Sequence, residues 1–177
     1  NNSGATFITA SNYATTLSDT ASVSNANTIL GDTTGKVTAT VSADTAANLN
    51  TGLSNATATD ALTLTTTDTS LSSLTNLIAL DSKTSVAVDA SSITTITETY
   101  ANLNTVYSAV GISGLGNEAV TITDTQNASN INTMLNKTTG IVTATVSTDT
   151  AANLNIALAN ATAIDALTLT VSAGSET

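Results

Sequence analysis

The sequence predicts an α/β solenoid: a right-handed stack of strand-plus-short-helix coils sharing one parallel sheet, with an all-β parallel β-helix as the alternative. Three observations predict it. Residues 33 to 65 (TTGKVTATVSADTAANLNTGLSNATATDALTLT) recur at 138 to 170 (TTGIVTATVSTDTAANLNIALANATAIDALTLT), with 27 of 33 positions identical at an offset of 105. Self-similarity at a fixed period is the signature of units that bury their apolar faces against neighbours. Short runs alternate aliphatic residues with Thr, the period of a strand with one inward face. After most runs comes a polar step, often Asp, and then aliphatic residues at helical spacing.

Taken in chain order, the predicted strands are Val37 to Val41, Leu62 to Thr65, Val86 to Val88, Val120 to Thr123, Val142 to Val146 and Leu167 to Thr170. The predicted helices carry Ala46, Leu49 and Leu53; Leu71, Leu74 and Ile78; Tyr100, Leu103, Tyr107 and Val110; Ala128, Ile131 and Leu135; and Ala151, Leu154 and Leu158. These divide residues 1–177, read as a single repeat fragment, into coils 12–35, 36–60, 61–84, 85–118, 119–140 and 141–165 with a partial coil 166–177, inside a 105-residue super-repeat. The long coil holds an extra run, Ile93 to Thr97, read as a second short strand turning a corner. A five-residue strand covers about 16 Å and a ten-residue helix about 15 Å, so one returns the chain to where the other began. The crossover rule makes such a stack right-handed.

Composition narrows the function classes. The chain has a net charge of −10, no Cys, Pro, His or Trp, and three cations, Lys36, Lys83 and Lys137. Nucleic acid needs clustered Arg or Lys to displace counterions from its phosphates, so it is excluded as a partner, and an anionic membrane surface is disfavoured on the same ground. Membrane insertion is excluded too, since no stretch approaches 18 consecutive apolar residues. The opening NNSGATFITASN lacks the basic and apolar regions of a signal peptide, and the chain is expected to be a fragment of a longer array. With no His or Cys and no nucleophile placed beside a base, an enzyme is not expected, and neither are catalytic residues or cofactors.

Several residues invite a chemical reading. Asp44-Thr45-Ala46 and its duplicate Asp149-Thr150-Ala151 are similar to the Asp-Thr-Gly pair of aspartic proteases, but the Gly is missing and both sit where a helix begins. Asp44, Asp68, Asp124 and Asp149 are therefore expected to be helix caps, accepting from the free N–H groups of a first turn. Asp81 and Asp89 are the candidate Ca²⁺ ligands, although loop solvation accounts for them as well. If the valines point inward, Thr38, Thr40, Thr63, Thr65, Thr121, Thr123, Thr143, Thr145, Thr168 and Thr170 form two outward files. Such flat T-x-T arrays resemble those of ice-binding solenoids. Thr is also a good strand former on a solvated face, and Ala87 and Asp89 interrupt the files. Asn55, Asn127, Asn136 and Asn160 open N-x-[ST] sequons, which chance produces in a chain this rich in Asn and Thr.

The passage from Asp81 to Thr125 (DSKTSVAVDASSITTITETYANLNTVYSAVGISGLGNEAVTITDT), with the flanking TTGxVTATVS and ATxIDALTLT phrases, resembles the Thr/Ala-rich tandem repeats of giant secreted surface proteins of cyanobacteria and other Gram-negative bacteria. The resemblance implies an adhesin-like or S-layer-like region exported to the cell surface by a type I route. The expected function is accordingly a structural repeat module of a stalk, coat or filament, pairing end to end with other copies or neighbouring repeats. The alternatives are a Thr-face binder of ice or of cell-surface polysaccharide, and a Ca²⁺-dependent adhesin segment.

Overall fold

The computed structural model describes residues 11–173. The elements run β1 (Thr15–Thr16), α1 (Val23–Asp32), β2 (Val37–Thr40), α2 (Ala46–Gly52), β3 (Ala61–Thr63), β4 (Ser70–Leu71), α3 (Thr75–Asp81), β5 (Val88–Asp89), β6 (Thr95–Glu98), α4 (Tyr100–Ser108), β7 (Ile112–Ser113), β8 (Ala119–Ile122), α5 (Ala128–Leu135), β9 (Val142–Thr145), α6 (Ala151–Ala157) and β10 (Ala166–Thr168). Local chemistry explains most of them. In β2, Val37 and Ala39 are buried while Thr40 is exposed, as alternation requires. In α2, Ala46 and Leu49 point inward, and Leu53 at the C-cap continues the same stripe.

The helices start on a recurring device. Ser22, Thr45, Asn127 and Thr150 are the N-caps of α1, α2, α5 and α6, and each side chain accepts from the backbone N–H three residues on, that of Asn25, Asn48, Asn130 or Asn153. The cap of α2 is thus Thr45, not the expected Asp44. Capping by position N3 needs the side chain at the last non-helical residue, and the helix begins one residue later than the aspartate would require.

All strand pairings among the described residues are parallel, and paired residues lie 22 to 25 apart, as in Thr15 with Val37 and Ser70 with Thr95. They do not build the expected single sheet. The strands fall into three sheets, ordered β1-β2-β3, β10-β9-β8-β6-β4 and β5-β7. The predicted solenoid is therefore corrected to a mixed α/β domain with three sheets and six helices among the described residues, and the six helices equally overturn the β-helix alternative.

The physical cause of the break lies beside β3. The Leu62 N–H donates to the Thr84 hydroxyl at 2.9 Å, and that hydroxyl donates back to the Leu62 carbonyl at 2.8 Å. A side chain has replaced the backbone partner, so the ladder stops there. It resumes only where the Asp89 N–H reaches the Leu64 carbonyl and the Thr66 N–H reaches the Asp89 carbonyl. Leu71, expected on a helix, lies instead in β4, and the extra run at Ile93 to Thr97 supplies β6, which pairs with both β4 and β8. Val110, expected on the apolar stripe of α4, lies beyond the helix and is exposed.

One core joins the three sheets and the helices. It runs without interruption from Ala26 and Leu30 through Leu62, Leu77, Ile96 and Ile131 to Leu158. The turns entering β2 and β9 are held by Thr33 and Thr138, whose hydroxyls donate to the Tyr13 and Glu118 carbonyls and accept from the Gly35 and Gly140 N–H groups. Gly is required at 35 and 140 because a Cβ would overlap those same carbonyl oxygens.

Candidate functional site

The duplicated sequence makes an internal comparison of two surfaces. β10 packs on β9 in the register of β3 on β2: Leu167 lies opposite Ala144 as Leu62 lies opposite Ala39, and Thr168 opposite Thr145 as Thr63 opposite Thr40. The two edges therefore present the same backbone groups. Around β3, residues 68–90 cover that edge and the neighbouring face of α2, with Leu77 and Leu80 of α3 buried against the core. The β10 edge has no such cover among the described residues, and β10 is the last strand of its sheet.

Exposure records the difference residue by residue. Leu64 and Thr66 are 0% exposed, whereas Leu169 and Val171 at the matching positions are 46% and 58% exposed. Ala46 is buried and Ala151 exposed; Leu62 is buried and Leu167 only half-buried. Leu154, Leu158, Leu167, Leu169 and Val171 line an open, apolar hollow of about 350 Å³ between α6 and β10. Water in contact with this much aliphatic surface is costly, at about 25 cal/mol per Å².

A second difference lies in the sequence itself. Of the six positions at which the copies differ, three replace Lys36, Thr51 and Thr59 by Ile141, Ile156 and Ile164. All three first-copy residues are exposed, so these sites face solvent even where the cover is present. The isoleucines are 45%, 75% and 58% exposed. Ile156 stands on α6 next to Asn155, which lines the apolar hollow, and Ile164 lines a separate, smaller hollow of about 290 Å³ beside Thr162 and Asp165. The second copy is thus more aliphatic at its surface by residue identity as well as by exposure.

Carboxylates around this face are committed to the backbone. Asp165 accepts from the Val142 N–H at 2.9 Å and from the Thr162 N–H and hydroxyl at 2.8 Å each. Burial pushes its carboxyl up, but these three donors together hold it below the ordinary range. Asp60 repeats the arrangement in the first copy, with the Val37 and Thr57 N–H groups. Glu118, fully buried, accepts from the Gly116 and Asn117 N–H groups and the Tyr107 hydroxyl.

The residues singled out from sequence are dispersed. Asp44 accepts from the Asn48 side chain and the Thr45 N–H, which lower its carboxyl in that order, and Asp149 makes the same two bonds in the second copy. Asp68 and Asp124 reach back to an earlier helix, accepting from the Ala46 N–H at 2.7 Å and the Tyr100 N–H at 2.8 Å. Asp81 ends α3 and Asp89 sits in β5, where the Ser91 side chain and N–H depress its carboxyl. No group of three or more acidic residues is placed to hold a metal among the described residues.

The threonine files are divided between sheets. Thr40 adjoins Thr63, Thr121 adjoins Thr143 and Thr145 adjoins Thr168, but Thr65 adjoins Asp89, and the first-copy and second-copy threonines belong to different sheets. Thr38 pairs with Ala61, while Thr123 and Thr170 lie just past the ends of β8 and β10. The apolar face between α6 and β10 was not singled out from sequence, because its residues Leu154, Leu158, Leu167 and Leu169 are identical in type to the covered residues of the first copy.

No family model, curated protein or solved structure matches the chain. The resemblance to repeat regions of secreted surface proteins is accordingly corrected, because the chain folds as a single α/β domain about one continuous core. The same finding overturns the functions drawn from that resemblance. A stalk, coat, filament, S-layer or adhesin segment, a Thr-face binder and an end-to-end assembling module all presuppose a modular repeat unit, which this domain is not.

Proposed function

We propose that this protein is a non-catalytic packing domain whose apolar face between α6 and β10 is covered by a further polypeptide segment. The observation that carries the reading is the pair Leu169 and Val171, about half exposed where Leu64 and Thr66 of the first copy are fully covered. Exposed apolar patches with a polar rim mark interaction surfaces, and the polar residue lining this one is Asn155. Ile156 and Ile164 add exposed aliphatic surface outside this hollow, at positions where the first copy keeps threonine.

A non-catalytic role is supported by a side-chain inventory without His, Cys or Arg. Nucleic acid is an unsuitable partner for a chain of net charge −10. No helix among the described residues is long and apolar enough to cross a membrane. An extracellular or cell-surface setting belongs to the same proposal, and the acidic, Thr-rich composition suits it.

The test is selection of a random-peptide display library on the domain, with counter-selection on a Leu169→Lys/Val171→Lys double variant. Both residues are half exposed, so lysine is tolerated there. Enriched ligands that lose binding to the double variant are expected. Ligands indifferent to the two substitutions, or no enrichment, would refute the docking face.

A further inference from the structure

The chain leaves one sheet edge open in its interior, on β7, with complete elements before and after it. We infer that this edge takes up an extended, cationic peptide segment by β-augmentation, independently of the face between α6 and β10.

The edge follows from the hydrogen bonds of its neighbour. β5 is paired on both sides: β7 lies on one, and on the other the Asp89 N–H reaches the Leu64 carbonyl while the Thr66 N–H reaches the Asp89 carbonyl. β7 is paired on one side only. The Val88 N–H donates to the Gly111 carbonyl at 2.9 Å and the Ala90 N–H to the Ser113 carbonyl at 2.8 Å. Successive carbonyls point to opposite sides of a strand, so the Ile112 carbonyl and N–H face away from β5. No strand among the described residues pairs with them. The next passage of chain joins only at Gly116, whose carbonyl accepts from the Thr139 N–H at 2.9 Å.

Nothing in the local sequence blunts this edge. Residues 109–115, AVGISGL, hold no Lys, Pro or other charge of the kind that keeps edges from pairing. Ser113 and Gly114 are exposed, and Val110 is almost wholly so. The Ile112 side chain packs on the core and holds the strand in place. An added strand gains main-chain hydrogen bonds from Ile112, and its side chains meet whatever flanks the edge.

The flanking groups give the chemistry of the occupant. The Asp81 carboxylate lies against Gly111, where a Cβ would collide with it. Asp89 is held by the Ser91 N–H, but Asp81 has no such donor among the described residues, which leaves it to a lysine or arginine of the added strand. Val110, beside Gly111, offers contact to an aliphatic neighbour of that cation. Residues 1–10 and 174–177 contain no Lys or Arg, so neither segment supplies it.

The probes are two end-blocked peptides, GTVKVTG and GTVEVTG, titrated into the ¹⁵N-labelled domain. The lysine peptide should give saturating amide shifts at Ile112, Ser113 and Gly114 and slow hydrogen exchange at the Ile112 N–H about tenfold, as a newly bonded amide does. Asp81→Asn should weaken it about two- to fivefold, the range of one exposed ion pair, and the glutamate peptide should bind more weakly than the lysine one. Ile112→Pro removes the outward N–H at an edge position where proline is tolerated and should abolish the shifts.

An Ile112 N–H already protected in the free domain, or no shift with lysine peptide up to about 1 mM, a weak affinity by any measure, overturns the open edge. Equal binding of the two peptides, or indifference to Asp81→Asn, overturns the cationic occupant. Shifts at Ile112 to Gly114 on concentrating the domain alone would make a second copy the occupant and overturn it as well.

Discussion

Truncating one leucine in each copy tests the uncovered face as a matter of stability. Leu64 and Leu169 are the same residue in the same register, but one is fully buried and the other 46% exposed. Leu64→Ala removes three buried carbons and leaves a cavity in a packed core, which costs about 3 kcal/mol. Leu169→Ala forfeits roughly half of the transfer energy and opens no enclosed cavity, so its cost is about 1 kcal/mol. A domain of this size loses about 2 to 4 °C in Tm per kcal/mol. Leu64→Ala should therefore lower the melting temperature by about 6 to 12 °C and Leu169→Ala by about 2 to 4 °C, on the same scaling. Urea denaturation followed by circular dichroism supplies the free energies. Leu49→Ala and Leu154→Ala are the control pair, since both parents are buried, and both should cost about 3 kcal/mol. Costs for Leu64→Ala and Leu169→Ala within about 0.5 kcal/mol of each other, inside the additivity error of separate sites, would refute the exposure argument.

Other perturbations follow from particular contacts. Gly140→Ala drives a Cβ into the Glu118 carbonyl and should cost about 2 to 3 kcal/mol in the same urea titration, since a backbone atom cannot rotate away. Asp60→Asn replaces a carboxylate that accepts from the Val37 and Thr57 N–H groups by an amide with only one accepting oxygen, at a cost of about 2 kcal/mol. Asp44, Asp89, Glu98 and Asp165 all have carboxyls held below the ordinary values of 3.8 for Asp and 4.5 for Glu. A lowered folded-state value contributes stability above the unfolded value and loses it as pH falls through the folded one. The urea midpoint should accordingly be flat from pH 7 down to about 5 and fall below about 4; a midpoint that rises on acidification would contradict the assigned bonds.

The local elements were legible because they answer to local chemistry. Alternation of Val or Ala with Thr specified β2 and β9, and i, i+3 spacing specified α2, α5 and α6. The sheets were not legible. Their division depends on a Thr84 hydroxyl standing in for backbone at Leu62, a contact between residues 22 apart that no periodicity encodes. β4 was hidden because Leu71 falls at helical spacing from Leu74, and β7 because a two-residue strand between Gly111 and Gly114 carries almost no pattern. The capping aspartates were visible as acids near helix starts, but sequence could not tell that Asp68 and Asp124 serve the preceding helix rather than the following one. The candidate face was not visible: aligning the copies isolates Ile141, Ile156 and Ile164, which lie outside it, while the exposure of Leu169 and Val171 needs three dimensions.

The backward reach of these polar side chains bears on how the chain emerges from a ribosome. The Val37 N–H waits for Asp60, the Ala46 N–H for Asp68, the Leu62 N–H for Thr84 and the Tyr100 N–H for Asp124, each 22 to 24 residues later in the chain. During synthesis, an element is completed only after the next one has been translated, at about 5 to 20 residues per second. These hydrogen bonds can therefore close only after one such further interval of chain has been made, about one to five seconds at that rate.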